Sequence, residues 1–464
     1  MSIITVILFF VLSWGLGYII TRYVKNSDNF LEHNLMRIGF GIALFALLNV
    51  VLGLLHMPID WRIIFIVVIL PLAYFAYKDI KTKKLFTPKL KLKKSDIYIL
   101  IILLFFVFTL FMYTKGSFNY PWLEDGDPWI HAIGVKYISI EKTLLEPEPY
   151  ERILQYTDPY PPAYESILGV LFQVSRTDLM WHMKFFNSLI ISLGIIFFYF
   201  FAKKFMKNSK KALFATFILT IIPCYMSHFI WAHSLVIMLI FPTLYAFECI
   251  KEDKRWKWIA AIMVGGILVT QPSQAIKFGV ILFVYVLVNS IVNRKVWWSG
   301  VLSGFYGILI SLLWWLPTFM RRGILTSMKI GDPGFGRAVE SLSNKWYEFN
   351  VAGSADRVYN FKDFFIAKGQ NMINNPIGVG KVLIILLMLT FIFMIYYQFK
   401  ITLNSRKEHK NLSIVLFSIQ GLSLLMLLFS FFSLLNLFME LKIGLVHQVI
   451  LAIASILLIA ISYI

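Results

Sequence analysis

The segment Trp122-Leu123-Glu124-Asp125-Gly126-Asp127-Pro128-Trp129-Ile130-His131 places three carboxylates and an imidazole within one or two turns of chain. Like charges this close repel one another unless they share a cation or a proton. Hard oxygen donors of this kind suit Mg2+ or Mn2+, and Asp127, Asp125 and Glu124 are the candidate ligands. A carboxylate held at the start of a helix is equally placed to act as a general base. The local sequence supplies that helix: Asp127 reads as its N-cap and Pro128 as its first residue, with Ile130, Ile133, Tyr137 and Ile138 as an apolar stripe. His131 lies one turn below Asp127 on the same face, where it would orient a substrate or relay a proton. The purely structural reading of the same residues is a helix cap followed by a hydrogen-bonded interfacial histidine.

Further polar groups punctuate later apolar stretches. Ser227-His228-Phe229-Ile230-Trp231-Ala232-His233 is a tight turn carrying two histidines, read either as ligand contacts or as interfacial anchors. Thr270-Gln271-Pro272-Ser273-Gln274 interrupts an apolar run and is followed by Lys277, a cation inside a span and near enough its end to snorkel. Arg321-Arg322 follows another apolar run, and a guanidinium pair there would serve a lipid phosphate.

The elements that must position these groups are membrane spans. Of 464 residues, 59% are hydrophobic and 15% charged, against about a quarter charged in an ordinary soluble domain. Apolar stretches of roughly 18 to 22 residues recur, each long enough as a helix to cross a hydrocarbon core of ~30 Å. We place thirteen spans at 2–21, 35–56, 62–77, 96–114, 182–202, 212–230, 234–250, 258–272, 277–292, 298–317, 381–399, 412–432 and 446–464. The first has neither a basic leader nor a small-residue cleavage site and reads as a retained span. Cys224 and Cys249 fall in separate apolar stretches, so neither a disulfide framework nor a thiolate metal site is expected.

The net charge of +19 resides mainly in short loops, so it reports orientation and not nucleic-acid binding. The lysine-dense loop 78–95 is assigned to the cytoplasm, and every second loop after it is basic too. That register puts the N-terminus and two long loops, 115–181 and 318–380, outside. The first of these holds 10 of the chain's 25 acids. Long ordered loops in compact proteins usually carry function. The second loop reads as amphipathic helices near 337–349 and 360–374, a cover over the bundle.

A long outer loop that opens on an acidic Asp127-Pro128-aromatic-x-His131 motif resembles the first outer loop of the GT-C superfamily of membrane glycosyltransferases, which includes oligosaccharyltransferase catalytic subunits and protein O-mannosyltransferases. Tyr156-Thr157-Asp158-Pro159-Tyr160-Pro161-Pro162-Ala163-Tyr164 is similar to the Tyr-Pro-Pro segment before the second juxtamembrane helix of that family. The resemblance covers roughly residues 96–330. It implies a sugar donor carried on a polyprenyl phosphate or diphosphate, with the loop acid as metal ligand or general base. Four spans precede the acidic loop here, three more than is usual, and the Trp-Trp-Asp-Tyr-Gly signature is missing, which speaks against oligosaccharide transfer to protein asparagine.

The expected architecture is an all-α polytopic bundle of about thirteen transmembrane helices with two outer loops forming a small helical cap. Residues 1–95 form a three-span N-terminal segment, 96–330 the GT-C-like core, and 331–464 the second outer loop with the last spans. The expected function is transfer of a sugar from a polyprenyl-linked donor to a protein, glycan or lipid acceptor at the outer face of the plasma membrane. Asp127, Asp125 and His131 would do the chemistry, with Mg2+ or Mn2+ as the implied cofactor. Arg321, Arg322, Lys277, His228 and His233 would bind substrate. The partners are the donor, the acceptor and membrane lipids, with no nucleic acid. A transporter or lipid flippase is the alternative, and a non-catalytic scaffold a third.

Overall fold

The computed structural model describes residues 3–24, 27–82, 96–124, 126–145, 160–221 and 229–323, together with Ile385, Leu389, Ile392 and Tyr396. Among the described residues there are twelve helices: α1 (Ile3–Thr21), α2 (Phe30–Leu54), α3 (Trp61–Lys81), α4 (Asp96–Ser117), α5 (Gly126–Glu141), α6 (Ala163–Phe172), α7 (Leu179–Met206), α8 (Ser209–Ile221), α9 (His233–Ile250), α10 (Trp256–Leu268), α11 (Pro272–Val292) and α12 (Trp298–Arg322). Eight of them, α1, α2, α3, α4, α7, α9, α11 and α12, are long and apolar enough to cross a membrane. The described chain is therefore a helical, multi-pass membrane protein. Helices also stand at α8 and α10, where spans are expected, but each has 13 described residues. The last three expected spans lie essentially outside the described residues, as do the expected helices of the second loop.

The chain divides into two units. The first comprises Met1–Ile221, Met226–Gly279 and Trp298–Pro333. The described part of the second is Ile385, Leu389, Ile392 and Tyr396 with the later portion of α11 and the turn to Trp297, where Trp297 N donates to Ser290 Oγ at 3.0 Å and the Tyr285 and Trp297 rings meet edge to face.

Within the first unit, α7 is the buried centre, packed by α4, α8 and α9, while α2 runs alongside α1 and contacts α6, α7, α9 and α10. Helix starts follow from capping: Asn29 accepts from Glu32 N, Asp60 from Arg62 N and Asp178 from Trp181 N. Helix α2 begins at Phe30, five residues ahead of the expected span, because the charges that hydropathy rejects there are buried in pairs. Glu32 accepts from Lys203 Nζ at 2.7 Å and from Tyr245 Oη at 2.9 Å. The same reason carries α3 past residue 77, since Asp79 is buried against Arg22 and Tyr18. The α1–α2 contact rests on glycine: a Cβ at Gly41 would lie 1.6 Å from the Ser13 carbonyl oxygen, and one at Gly17 1.9 Å from that of Arg37. Close backbone approach through small residues is the usual way helices associate in lipid, where apolar burial between helices gains little.

A polar knot ties the α2–α3 turn to the ends of α5 and α6. Lys142 Nζ donates to Asp60 Oδ2 at 2.6 Å, Ile59 N to Lys142 O at 2.7 Å, and Gln173 bridges Ile59 O and Trp61 N. Burial would raise the Asp60 carboxyl, but the Lys142 hydrogen bond and the Arg62 amide outweigh it and hold it below its ordinary value. A carboxyl depressed on folding adds stability above its unfolded pKa, about 3.9, and that increment is lost as pH falls through the lower folded value. Asp60→Asn keeps the cap and loses the ion pair, so it should reduce stability slightly at neutral pH and remove this acid-sensitive component. Thermal unfolding of parent and variant across that pH range checks it.

Candidate functional site

Helices α5 and α6 are described within the first long loop, and they pack on one another. Helix α5 starts at Gly126, so Asp127 lies in its first turn and not at the cap. Its buried face differs from the expected stripe. Pro128, His131, Ala132, Gly134, Val135 and Ile138 point inward, while Ile130 and Ile133 are exposed. Close packing on α6 decides this: Ile138 fits so closely over Gly169 that a Cβ there would meet it at 2.9 Å. Ile130 and Ile133 lie on the other side and remain exposed.

His131 and Asp127 therefore part company. Asp127 is exposed. His131 is buried, and its Nδ1 lies 2.5 Å from Glu165 Oε1 on α6. The imidazole is flanked edge to face by Tyr160 and Tyr164, and the Ala232 amide donates to its Nε2 at 3.3 Å. Glu165 is 3% exposed, and its Oε2 has no hydrogen-bond partner among the described residues.

Three further contacts fix the surroundings. Asn187 of α7 accepts from Tyr164 Oη at 3.2 Å and donates to Phe229 O at 3.0 Å, joining α6 to the segment ahead of α9. Ala163 N donates to Val269 O at 3.1 Å. Asn49 of α2 donates to Ser166 Oγ at 3.1 Å. His233 stacks on Trp231, its ring centroid 4.1 Å away, and lies within electrostatic reach of His131 and Lys277. Lys277 is exposed on α11, which begins at Pro272 behind a Gln271 side chain that accepts from Gln274 N.

Glu124 has a cation close by that sequence spacing does not reveal. Lys184 of α7 donates to Tyr120 O at 2.5 Å, lies over the Phe118 ring, and is attracted electrostatically by Glu124. Protein charge thus meets part of the repulsion in the acidic turn. Among the described residues no three His, Cys, Asp or Glu side chains are grouped to hold a metal ion. Glu124 and Asp127 alone do not complete a metal site, and Asp125 lies outside the described residues, as do His228 and the side chain of Arg322.

No family model, no curated protein and no solved structure matches this chain.

A cavity of about 350 Å3 is lined by Val50, Gly53 and Leu54 of α2, His56, Leu144, Leu145, and Trp314, Pro317, Thr318 and Arg321 of α12. Its walls are mostly apolar, with one guanidinium. Leu144 and Leu145 follow the C-terminal end of α5, whereas Asp127 is in the first turn of that helix. Arg321 is the expected substrate-binding residue that lines this cavity. Glu165, Lys184 and Asn187 are the polar residues that sequence reasoning passed over. The signal available for Glu165 was its place directly after Tyr-Pro-Pro-Ala-Tyr, in a segment already set apart by resemblance. Lys184 and Asn187 sit inside an apolar run, and a polar side chain within a span is a functional candidate by default.

Proposed function

We propose that the protein is a membrane glycosyltransferase of the GT-C kind, moving a sugar from a polyprenyl phosphate or diphosphate to an acceptor on the outer face. The observation that supports this reading best is the apolar cavity with Arg321 in its wall, lined in part by Leu144 and Leu145 just beyond the C-terminal end of α5. An isoprenoid phosphate needs that combination: an apolar recess for the first units of the chain and a fixed cation for the anion. Asp127, exposed at the start of α5, is then available to the acceptor or to a divalent cation shared with Asp125. Arg321 would steady the leaving phosphate, with Arg322, Lys277, His228 and His233 as further substrate contacts.

The decisive assay uses the purified protein in lipid nanodiscs with a panel of labelled dolichyl-phosphate and polyprenyl-diphosphate sugars. Polyprenyl phosphate should be released when an acceptor is supplied and not otherwise. A panel that yields no acceptor-dependent release defeats the reading. Arg321→Ala should weaken donor binding by about tenfold or more, the size of one charge-assisted hydrogen bond. Equal affinity in parent and variant would remove Arg321 from the donor site.

The outer placement has its own check. Asn119 and Lys207 are both exposed, the first just after α4 and the second just after α7. In a background with Cys224 and Cys249 replaced by serine, Asn119→Cys should react with an impermeant thiol reagent on intact cells and Lys207→Cys should not. The reverse pattern would invert the protein.

The transporter reading has one observation in its favour: Glu32, Arg37 and Asp79 are ionisable residues buried within spans. Each is engaged in place, however. Arg37 donates to Thr21 and Asn34 and lies over the Tyr18 ring, and Glu32 and Asp79 are ion-paired.

A further inference from the structure

The partners of His131 decide where its proton is. Because the Ala232 amide donates to Nε2, that nitrogen presents a lone pair, and the single proton of a neutral imidazole is on Nδ1, donated to Glu165 Oε1. The pair is 6% and 3% exposed, and the second Glu165 oxygen has no hydrogen-bond partner among the described residues. The charged and titratable groups around it are Tyr160 and Tyr164 on the α6 side, His233 at the start of α9 and Lys277 on α11. None of these contributes a second carboxylate. The arrangement is that of an acid-backed histidine, in which the carboxylate fixes the tautomer and stabilises the imidazolium that forms.

We propose that His131, held by Glu165, is the base that takes the acceptor's proton. This assignment rests on the glycosyltransferase reading. In the step, the acceptor oxygen or nitrogen donates its lone pair to the anomeric carbon as the bond from that carbon to the donor's phosphate oxygen breaks, its electron pair leaving with the phosphate. The acceptor's proton passes to Nε2, displacing the long Ala232 contact, and the product pair of imidazolium and carboxylate is neutral overall. Glu165 is a positioning residue: it acts through His131 and touches no substrate. Asp127 is left for the phosphate side of the reaction.

The test combines a spectrum with kinetics. In histidine-labelled protein in nanodiscs, without substrate, the proton spectrum should contain a far-downfield Nδ1–H resonance that disappears in both His131→Gln and Glu165→Leu. Its absence from the parent overturns the pairing. In the transfer assay with the donor panel, His131→Gln should lose about 10² or more. Glu165→Gln preserves volume and hydrogen bonding and should lose a comparable factor, with Glu165→Asp recovering part of it. Transfer within a few-fold of the parent in either glutamine variant overturns the proposal. A parent that transfers nothing from any donor defeats the glycosyltransferase reading itself and the base assignment with it. A downfield proton persisting in that case marks the pair as structural.

Discussion

Asp127→Asn is expected to lower the transfer rate by about 10² or more while leaving helix α5 formed. The residue is exposed in the first turn of α5, where its carboxylate makes a favourable interaction with the helix dipole worth about 0.3–1 kcal/mol. Asparagine keeps the shape and most of the hydrogen-bonding capacity at that position and loses only the charge. Stability should therefore change by less than about 1 kcal/mol, far too little to account for a hundredfold loss of rate. Donor affinity, which depends on Arg321 and the cavity wall, should be retained. The measurement is acceptor-dependent release of polyprenyl phosphate by parent and variant at matched protein concentration. Loss of parent activity on chelation, with partial recovery of the variant in excess Mn2+, would identify the carboxylate as a cation ligand. Turnover within a few-fold of the parent would leave Asp127 as a surface carboxylate and remove the chemistry from the start of α5.

Gly41→Val should prevent the first two helices from packing. Even a single Cβ at Gly41 would lie 1.6 Å from a backbone oxygen of α1, and backbone cannot swing aside as a side chain does. The helices must separate, and the neighbouring Gly17–Arg37 contact separates with them. Overpacking against mobile side chains usually costs about 1–3 kcal/mol, and this contact lies beyond that case. The expected result is loss of the monodisperse folded species in detergent, read by size-exclusion chromatography and thermal unfolding. Gly304→Ala on α12 is the matched control, because nothing lies within 4 Å of its added Cβ. It should be neutral or stabilising by up to about 1 kcal/mol. A Gly41→Val protein as stable as the control would mean that α1 and α2 do not approach as described.

How much of this was legible in the sequence depends on which force set each feature. Eight of the thirteen expected spans coincide with described helices long and apolar enough to cross a membrane, and two more overlap the shorter helices α8 and α10. Hydrocarbon allows almost no alternative to a helix over a run of apolar residues. Boundaries drifted where charged residues belong to the helix, at Glu32 and at Asp79, because a hydropathy scale treats charge as an exit while the fold pairs it inside. The helix after Asp127 was legible from its proline and its periodicity. The face it buries was not, since apolar periodicity identifies a core only where the alternative surroundings are water. Ile130 and Ile133 stay exposed, while close packing against Gly169 selects Val135 and Ile138, and Glu165 draws in His131.

By itself, then, the amino-acid sequence determined that the chain is a helical membrane protein, and it singled out the acidic turn and Arg321 as residues to examine, because those conclusions follow from local composition and chain length. Only the tertiary structure decided the partners. Lys184 lies 60 residues beyond Glu124, Glu165 lies 34 beyond His131, and the cavity holding Arg321 is closed by Gly53 and Leu144 from distant helices and turns. Hydrogen bonds and ion pairs act over a few ångströms of space, and separation along the chain carries no record of that distance until the helices have packed.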